Sequence, residues 1–452
     1  MNTGPQSKVA KSALDIWKAG VDAVDSEDRT RESIVVANDH IRIGQVNFAL
    51  GGISRFVVLG AGKSAGWMAK GVLEAVAETG REVTGWVNVP DSQVIDCGPI
   101  WIHGARSAGS NLPTPAAQHG TEKILELAAG LRKNDLAILV ISGGGSALLE
   151  KPADGISLDS IVGLTQFLSA GGATISELNL IRKKLSQVKG GGLAEAMMGK
   201  PSVALVLSDV IGDPLEVIAS GPAVADSTSW ASAVKCMARF DPDRNQIHPS
   251  IWRYMTGTEP TIRATPPIPH AIVGNNEMAC AAAARKADQL GFRTIIDWPK
   301  FNSVESADAA GERLASFVRQ HVKTGEPVCT VSGGEPVVEL CDAPGLGGRN
   351  QQLVLSAMKA LRLEGKLELP FCVLSGGTDG EDGNVNVAGA WFDHQRLATS
   401  KERFTLEAIS SHLQRNSSYE VFRELDSLVR IDQPRTNVCD LRVCLLNAPN
   451  DV

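Results

Sequence analysis

Short apolar runs alternate with helix-patterned stretches along this chain, and several of the runs end in glycine-rich turns. "RFVVLGA" precedes "SAGWMAKGVLEAVAETG", "VTGWVNV" precedes "PAAQHGTEKILELAAGL", and "LAILVIS" precedes "LDSIVGLTQFLSAG". Strands alternating with amphipathic helices predict an α/β fold, with mostly parallel sheets covered by helices on both faces. Residues 8–24 read as an amphipathic helix. The proline- and charge-rich stretch 241–270 interrupts the alternation and is expected to be irregular, near a boundary. A second block then begins at "HAIVG" and runs to "LRVCLLN". The expected division is a domain over 1–250 and another over 265–452, within the reach of a 452-residue chain.

Charge and cysteine usage exclude several classes. The net charge is −7 with no long basic run, so no nucleic-acid partner is expected. None of the eight cysteines forms a CxxC pair, and none sits beside a histidine at metal-ligand spacing. With no signal peptide in "MNTGPQSKVAKSALDIW", a cytoplasmic protein with reduced thiols is expected. The longest apolar run, "LAILVISGGGSALL", is too short and too polar to span a bilayer, so no membrane partner is expected.

The turn "GAGKSAG" admits three readings. A phosphate-binding P-loop needs glycine where Val57 stands, so that reading fails on spacing. Gly60, Gly62 and Ala65 fit a dinucleotide fingerprint, but the acidic partner at the end of the next strand is missing; the nearest acid, Asp91, lies after a proline. The third reading is an anion site in which Gly62, Lys63 and Ser64 present backbone N–H groups and one ammonium at a helix N-terminus. A plain tight turn with a solvated lysine is the structural alternative.

Other strand ends carry similar chemistry. Ser142, Gly143, Gly144, Gly145 and Ser146 offer successive amides in a glycine-rich turn, and Ser332, Gly333, Gly334 and Glu335 repeat the theme. Asp209 follows a buried strand, Arg349 follows a glycine pair, and Asp379 and Asp382 end "LSGGTDGED". Each acid alone reads equally as a turn or helix cap. Together, with one lysine and one arginine, they point to phosphate, Mg²⁺ and a small acid. On the basic helix of "NLIRKKLSQVKGGG", Arg182 and Lys189 share a face and are candidate substrate contacts, whereas Lys183 and Lys184 read as solvated. The eight histidines sit in no Ser/His/Asp or HExxH context, so serine hydrolysis and zinc chemistry lack their parts.

The motifs "GAGKSAGWMAKG", "ISGGGSALL", "LNLIRKKLSQVKGGGLA", "LVLSDVIGDPLEVIASGP", "GLGGRNQQLVLSAM", "LSGGTDGEDG" and "TNVCDLRVCLL" resemble those of the glycerate 2-kinases, whose C-terminal part is called the MOFRL domain. The resemblance covers nearly the whole chain. It implies a Rossmann-like N-terminal lobe and a MOFRL-type C-terminal lobe, with the site in the cleft. It implies ATP- and Mg²⁺-dependent phosphorylation of D-glycerate at the 2-hydroxyl by a monomer or homodimer. Carried over by motif, Lys63, Asp209 and Arg349 are the central charged residues, with Asp379 as a further substrate contact. Mg²⁺ would fall to Asp209 and Asp379, and the nucleotide phosphates to the Ser-Gly-Gly turns. Which of these charged groups does what stays open. The chain departs from the family pattern at Ala116, Lys184, Asn386, Ser417, Arg435 and Cys439, positions that the resemblance associates with the acceptor. Two other readings remain: a hydroxypyruvate reductase, which the fingerprint would suit, and a sugar-acid-binding protein with reduced catalysis.

Overall fold

The computed structural model describes residues 7–107, 111–257, 263, 265–298, 304–364, 367 and 369–447. It divides into two compact units, Ser26–Val273 and a second made of Met1–Asp25 with Gly274–Val452. The first helix, Lys8–Asp22, therefore belongs with the C-terminal half and not with the domain that follows it in sequence. Its apolar stripe, Val9, Ala13, Ile16, Trp17 and Val21, packs against the strand Asp440–Leu446 and the helix Asn276–Gln289. Trp17 Nε1 donates to the Leu441 carbonyl at 3.1 Å. Gly20 allows the close packing: a Cβ there would lie 2.5 Å from Leu441 Cδ2 and 2.9 Å from the Ala279 carbonyl oxygen.

In the unit Ser26–Val273, a six-stranded sheet runs in the order Ile100–Arg106, Glu82–Pro90, Arg55–Ala61, Asp135–Ser142, Ser202–Leu207, His270–Gly274. The first five are parallel neighbours. Asp135–Ser142 is buried at every position, as expected for a central strand covered on both faces. The order reverses between Arg55–Ala61 and Asp135–Ser142, so a ligand crevice is expected beyond the carboxyl ends of these two strands. "HAIVG", expected to open the second block, is instead the edge strand of this sheet. The stretch 241–270 is less irregular than expected. It contains the helix Pro249–Gly257, because proline in the first turn starts a helix rather than breaking it. Buried Ile251, Trp252 and Met255 anchor that helix, and Asp241 accepts from Trp252 Nε1 at 2.9 Å. A three-stranded antiparallel sheet, Ile34–Val36, His40–Ile43 and Val46–Ala49, completes the unit.

The other unit is α/β too, but its sheet departs from the mostly parallel expectation. The order is Arg293–Asp297, Val328–Gly334, Asp440–Leu446, Phe371–Gly377, Gly389–Asp393, Leu428–Val429, and only the first pair is parallel. The last long strand inserts between Val328–Gly334 and Phe371–Gly377 and runs against both. The short link from Phe371–Gly377 to Gly389–Asp393 leaves no room for a crossover helix, so that pair is antiparallel as well. Alternate residues feed two cores: Phe371 and Val373 face the helices Ala307–His321 and Arg349–Arg362, while Cys372 and Leu374 face the first helix. One consequence matters for function. The Ser-Gly-Gly ends of Val328–Gly334 and Phe371–Gly377 flank the start of Asp440–Leu446, with Gly334 and Gly377 both registered against Asp440.

Candidate active site

In the unit Ser26–Val273, the turn after Arg55–Ala61 sits at the switch point of the sheet. Gly60 and Gly62 are needed because the neighbouring strand is so close. A Cβ at Gly60 would lie 1.8 Å from the Val140 carbonyl, and one at Gly62 would lie 2.0 Å from Ser142 Oγ. Gly62 also adopts φ +146°. The turn's amides are already used. Gly62 N–H donates to the Asn88 carbonyl at 3.1 Å, Lys63 N–H to the Gly143 carbonyl at 2.8 Å, and Ser64 N–H to Ser142 Oγ at 3.0 Å. The expected cradle of free N–H groups at Gly62, Lys63 and Ser64 is therefore closed. The same bonds remove the amides that a dinucleotide pyrophosphate would need. The Lys63 side chain is half-buried beside this turn.

A second cation accompanies it. Gly144, at φ +75°, sits between them: a Cβ there would be 3.4 Å from both Lys63 Cγ and Arg106 Nη2. Arg106 is buried at the end of Ile100–Arg106. Sequence reading passed over it, although "IWIHGAR" ends a strand on the same side as the other turns. Asp209 is half-buried just past Ser202–Leu207.

Arg182 and Lys189 lie behind this turn, not in it. Lys189 is fully buried, and Arg182 nearly so. Lys189 Nζ donates to the carbonyls of Ser146, at 2.8 Å, and Leu149, and lies 3.2 Å from Glu150 Oε2. Arg182 Nη2 reaches the same Ser146 carbonyl at 3.0 Å and Glu150 at 3.4 Å. Two cations thus hold the carbonyl end of the short helix Gly145–Leu148 and fix the Ser142–Ser146 turn from beneath. Burial pulls the Lys189 ammonium down to about 8, with Glu150 opposing the fall. Ser146 Oγ is 2.8 Å from Ser220 Oγ, which donates to Asn179 at 2.8 Å. Ala219 and Ser220 adopt φ +51° and +62°, strain that this bonding maintains.

In the C-terminal unit, Arg349 is committed to acids. Nε and Nη2 form a bidentate pair with Asp440, at 2.7 and 2.9 Å, and Nη1 donates to Glu335 at 2.6 Å. Burial works against the guanidinium charge, and the carboxylates of Asp440, Glu335 and Asp382 together more than offset it. Asp440 is fully buried, and its carbonyl accepts from Asn276 Nδ2 at 2.9 Å. Gly333 makes room for Asn276, since a Cβ there would lie 1.7 Å from its Oδ1. Asp440 and Asn276 were not foreseen; an acid opening a strand reads in sequence as a cap.

Asp379 is half-buried near the same point. A Cβ on Gly377 would lie 3.2 Å from Asp379 Oδ1 and 3.5 Å from Asp440 Oδ1. Asp382 has a different job. It is buried and caps the helix Arg349–Arg362, accepting from the backbone N–H groups of Asn350 and Gln351 at 2.9 Å each. Burial raises its carboxyl to about 6, against those hydrogen bonds. Among the described residues, no three metal-ligating side chains cluster together.

Two of the positions that depart from the family pattern, Lys184 and Ser417, are held by other side chains. Lys184, expected to be solvated, is largely buried; its Nζ donates to Asp226 and to the Thr228 carbonyl, at 2.6 Å each. Ser417 is buried with its hydroxyl 2.9 Å from His412 Nδ1. Ala116 and Asn386 are exposed, and Arg435 is half-buried.

Both units thus bring glycine-rich turns, cations and carboxylates to the ends of strands, the layout of an α/β protein that handles a small anion. Comparison with known proteins makes this specific. Residues 12–256 match a family model described as a domain of unknown function (DUF4147), and residues 328–440 match the MOFRL family. A D-glycerate 2-kinase of Thermotoga maritima is 34% identical over 98% of this chain and 99% of its own. A glycerate 2-kinase of Pyrococcus horikoshii is 30% identical over 96% and 98%. Human glycerate kinase is 35% identical over 75% of this chain and 72% of its own. The crystal structure of a Thermotoga maritima glycerate kinase superposes with a TM-score of 0.80 at 32% identity, covering 96% of this chain and 99% of that one. The chain belongs to the glycerate 2-kinase family.

Proposed function

We propose that this protein is a kinase that transfers the γ-phosphoryl group of ATP to the 2-hydroxyl of D-glycerate, giving 2-phosphoglycerate and ADP. The observation that carries this reading is the end-to-end match to a D-glycerate 2-kinase, together with the charged groups at the strand ends of this chain. A reductase would need an open pyrophosphate turn, and the amides of Gly62, Lys63 and Ser64 are spent internally.

Phosphoryl transfer needs positioning and charge neutralisation more than covalent help. Lys63, with Arg106 beside it, supplies positive charge for the substrate carboxylate or the transferring phosphoryl oxygens. Asp209 orients the acceptor hydroxyl or takes its proton. Arg349 holds Asp440 and Glu335 in place, so its charge serves an acidic cluster before it serves a ligand. Magnesium usually binds through one or two carboxylates together with nucleotide phosphates and water. Asp379 would hold it, and the bound metal would neutralise phosphate charge. Arg182 and Lys189 act by holding the Ser142–Ser146 turn.

The test is ADP release by the purified protein with Mg-ATP and D-glycerate, beside a panel of other short hydroxy acids. Background rates across the whole panel would refute the kinase assignment. A rate confined to another acid would keep the kinase and replace the acceptor.

A further inference from the structure

We infer that the C-terminal unit carries the binding pocket for the adenine base of the donor nucleotide, beside Arg349; this rests on the kinase reading above. A cavity of about 340 Å³ opens between the segment Pro336–Leu340 and the glycine turn before Arg349. It adjoins a larger one of about 680 Å³ that shares Val337, Leu340 and Gln352. Both volumes lie in the range of small-molecule sites.

Two residues that line the smaller cavity, Gln352 and Ser418, each carry a buried polar atom with no partner in the protein. Gln352 is 5% exposed, and its side-chain N–H₂ donates to Asp308 at 3.3 Å and to the Leu413 carbonyl at 3.2 Å. Those two acceptors fix the amide's orientation, so Oε1 points the other way, and it accepts no hydrogen bond. Ser418 is 1% exposed, and its Oγ is likewise unpaired. Buried polar atoms are rarely left so, and a pair lining one cavity asks for a ligand that supplies the missing bonds. Gly347 lets the glycine turn pass close over Ser418, since a Cβ there would lie 2.5 Å from its Oγ.

The rest of the lining selects the ligand class. Val337 and Leu340 stand 50% and 65% exposed on one wall, apolar surface that a flat heteroaromatic ring would cover. An orphan acceptor calls for a donor, and adenine offers its exocyclic amine. A hydroxyl can serve a ring nitrogen. At one edge the lining continues to Gly348 and Arg349, so an anionic tail would run toward the strand-end cluster. A flat base with an amino group and an anionic tail is an adenine nucleotide.

The experiment measures calorimetric binding of ADP, IDP and inorganic pyrophosphate to the full chain and to two variants. Leu340→Asp alters an exposed side chain, and Ser418→Ala removes only an unpaired hydroxyl, so both should fold with unchanged melting temperatures. The expected result is ADP binding weakened at least tenfold in Leu340→Asp and roughly threefold to tenfold in Ser418→Ala, the scale of one lost hydrogen bond. IDP, which carries a carbonyl in place of the amine, should bind wild type about tenfold more weakly than ADP. Pyrophosphate binding and the KM for glycerate should not move. Wild-type-like ADP affinity in both folded variants, or no ADP binding at all, overturns the pocket and leaves water as the partner of Gln352 and Ser418. Variant-sensitive ADP binding without kinase activity would keep the pocket and reject the kinase reading.

Discussion

Replacing Arg349 by methionine separates the two roles that an arginine in this position can have. Its guanidinium is bidentate to Asp440, whose side chain is fully buried, and the arginine side chain is itself 32% exposed. Removing one partner of a buried pair costs about 3–5 kcal/mol, because a charge stays behind without compensation. Partial exposure of the arginine discounts this toward ~2–3 kcal/mol. Neutralising what is left should recover most of the loss, so Arg349→Met with Asp440→Asn should be more stable than Arg349→Met alone by about 1–2 kcal/mol. Activity should not follow stability. If the cluster acts on the nucleotide or the metal, the double variant remains at least a hundredfold slower than wild type. Urea unfolding at pH 7 and initial rates on the same preparations read both quantities. A single variant as stable as wild type would refute the idea that Asp440 depends on Arg349. A double variant that regains normal turnover would make the pair purely structural.

Three other outcomes follow from the same chemistry. Lys63→Ala should keep the melting temperature and lose about 10²–10³ in kcat, because its backbone N–H bond to Gly143 survives while the ammonium does not; near-normal turnover would make it an ordinary surface lysine. Lys189 has a native pKa of about 8, below that of a lysine in the unfolded chain, so between about pH 8 and 10.5 the unfolded state binds more protons and this group adds stability as pH rises; the wild-type minus Lys189→Met difference in unfolding free energy should therefore slope upward across that window, and a flat difference rejects the burial argument. Asp382 is shifted the other way, to about 6, so its contribution grows as pH falls from about 6 toward 4, and denaturation midpoints of wild type and Asp382→Asn should diverge over that range.

The central strands were legible as compact apolar runs, several closed by glycine, and the two-unit α/β layout follows from their alternation with helices; the edge strands Ile100–Arg106 and Leu428–Val429, the strand Gly389–Asp393 and the small sheet over 34–49 were not. Direction was not legible. "LRVCLLN" reads the same whichever way it enters a sheet, and only its insertion between two strands that end in Ser-Gly-Gly makes the second sheet mainly antiparallel. The partner of the first helix was hidden for a similar reason, since the stripe from Val9 to Val21 specifies that a face is buried but not against what. Lys63, Asp209, Arg349 and Asp379 were recognisable as charges at or near the glycine-rich ends of strands. The fate of the turn amides was not, because Ser142 and Gly143 lie some eighty residues away and claim them only once the strands are adjacent. Arg182 and Lys189 do not share a helix face as expected: the helix Ile175–Lys184 ends before Lys189, which sits in the turn beyond it, and both side chains reach Glu150. Orphan atoms such as Gln352 Oε1 exist only in the folded chain.

The measurement that bears most directly on the central claim couples the product to enolase. The protein is incubated with Mg-ATP and D-glycerate, and phosphoenolpyruvate is followed with enolase present and phosphoglycerate mutase absent. Phosphorylation at the 2-hydroxyl predicts phosphoenolpyruvate at once, at the rate of ADP release. Product that appears only after the mutase is added would place the phosphoryl group on the 3-hydroxyl, and no product at all would contradict the assignment of D-glycerate as the acceptor.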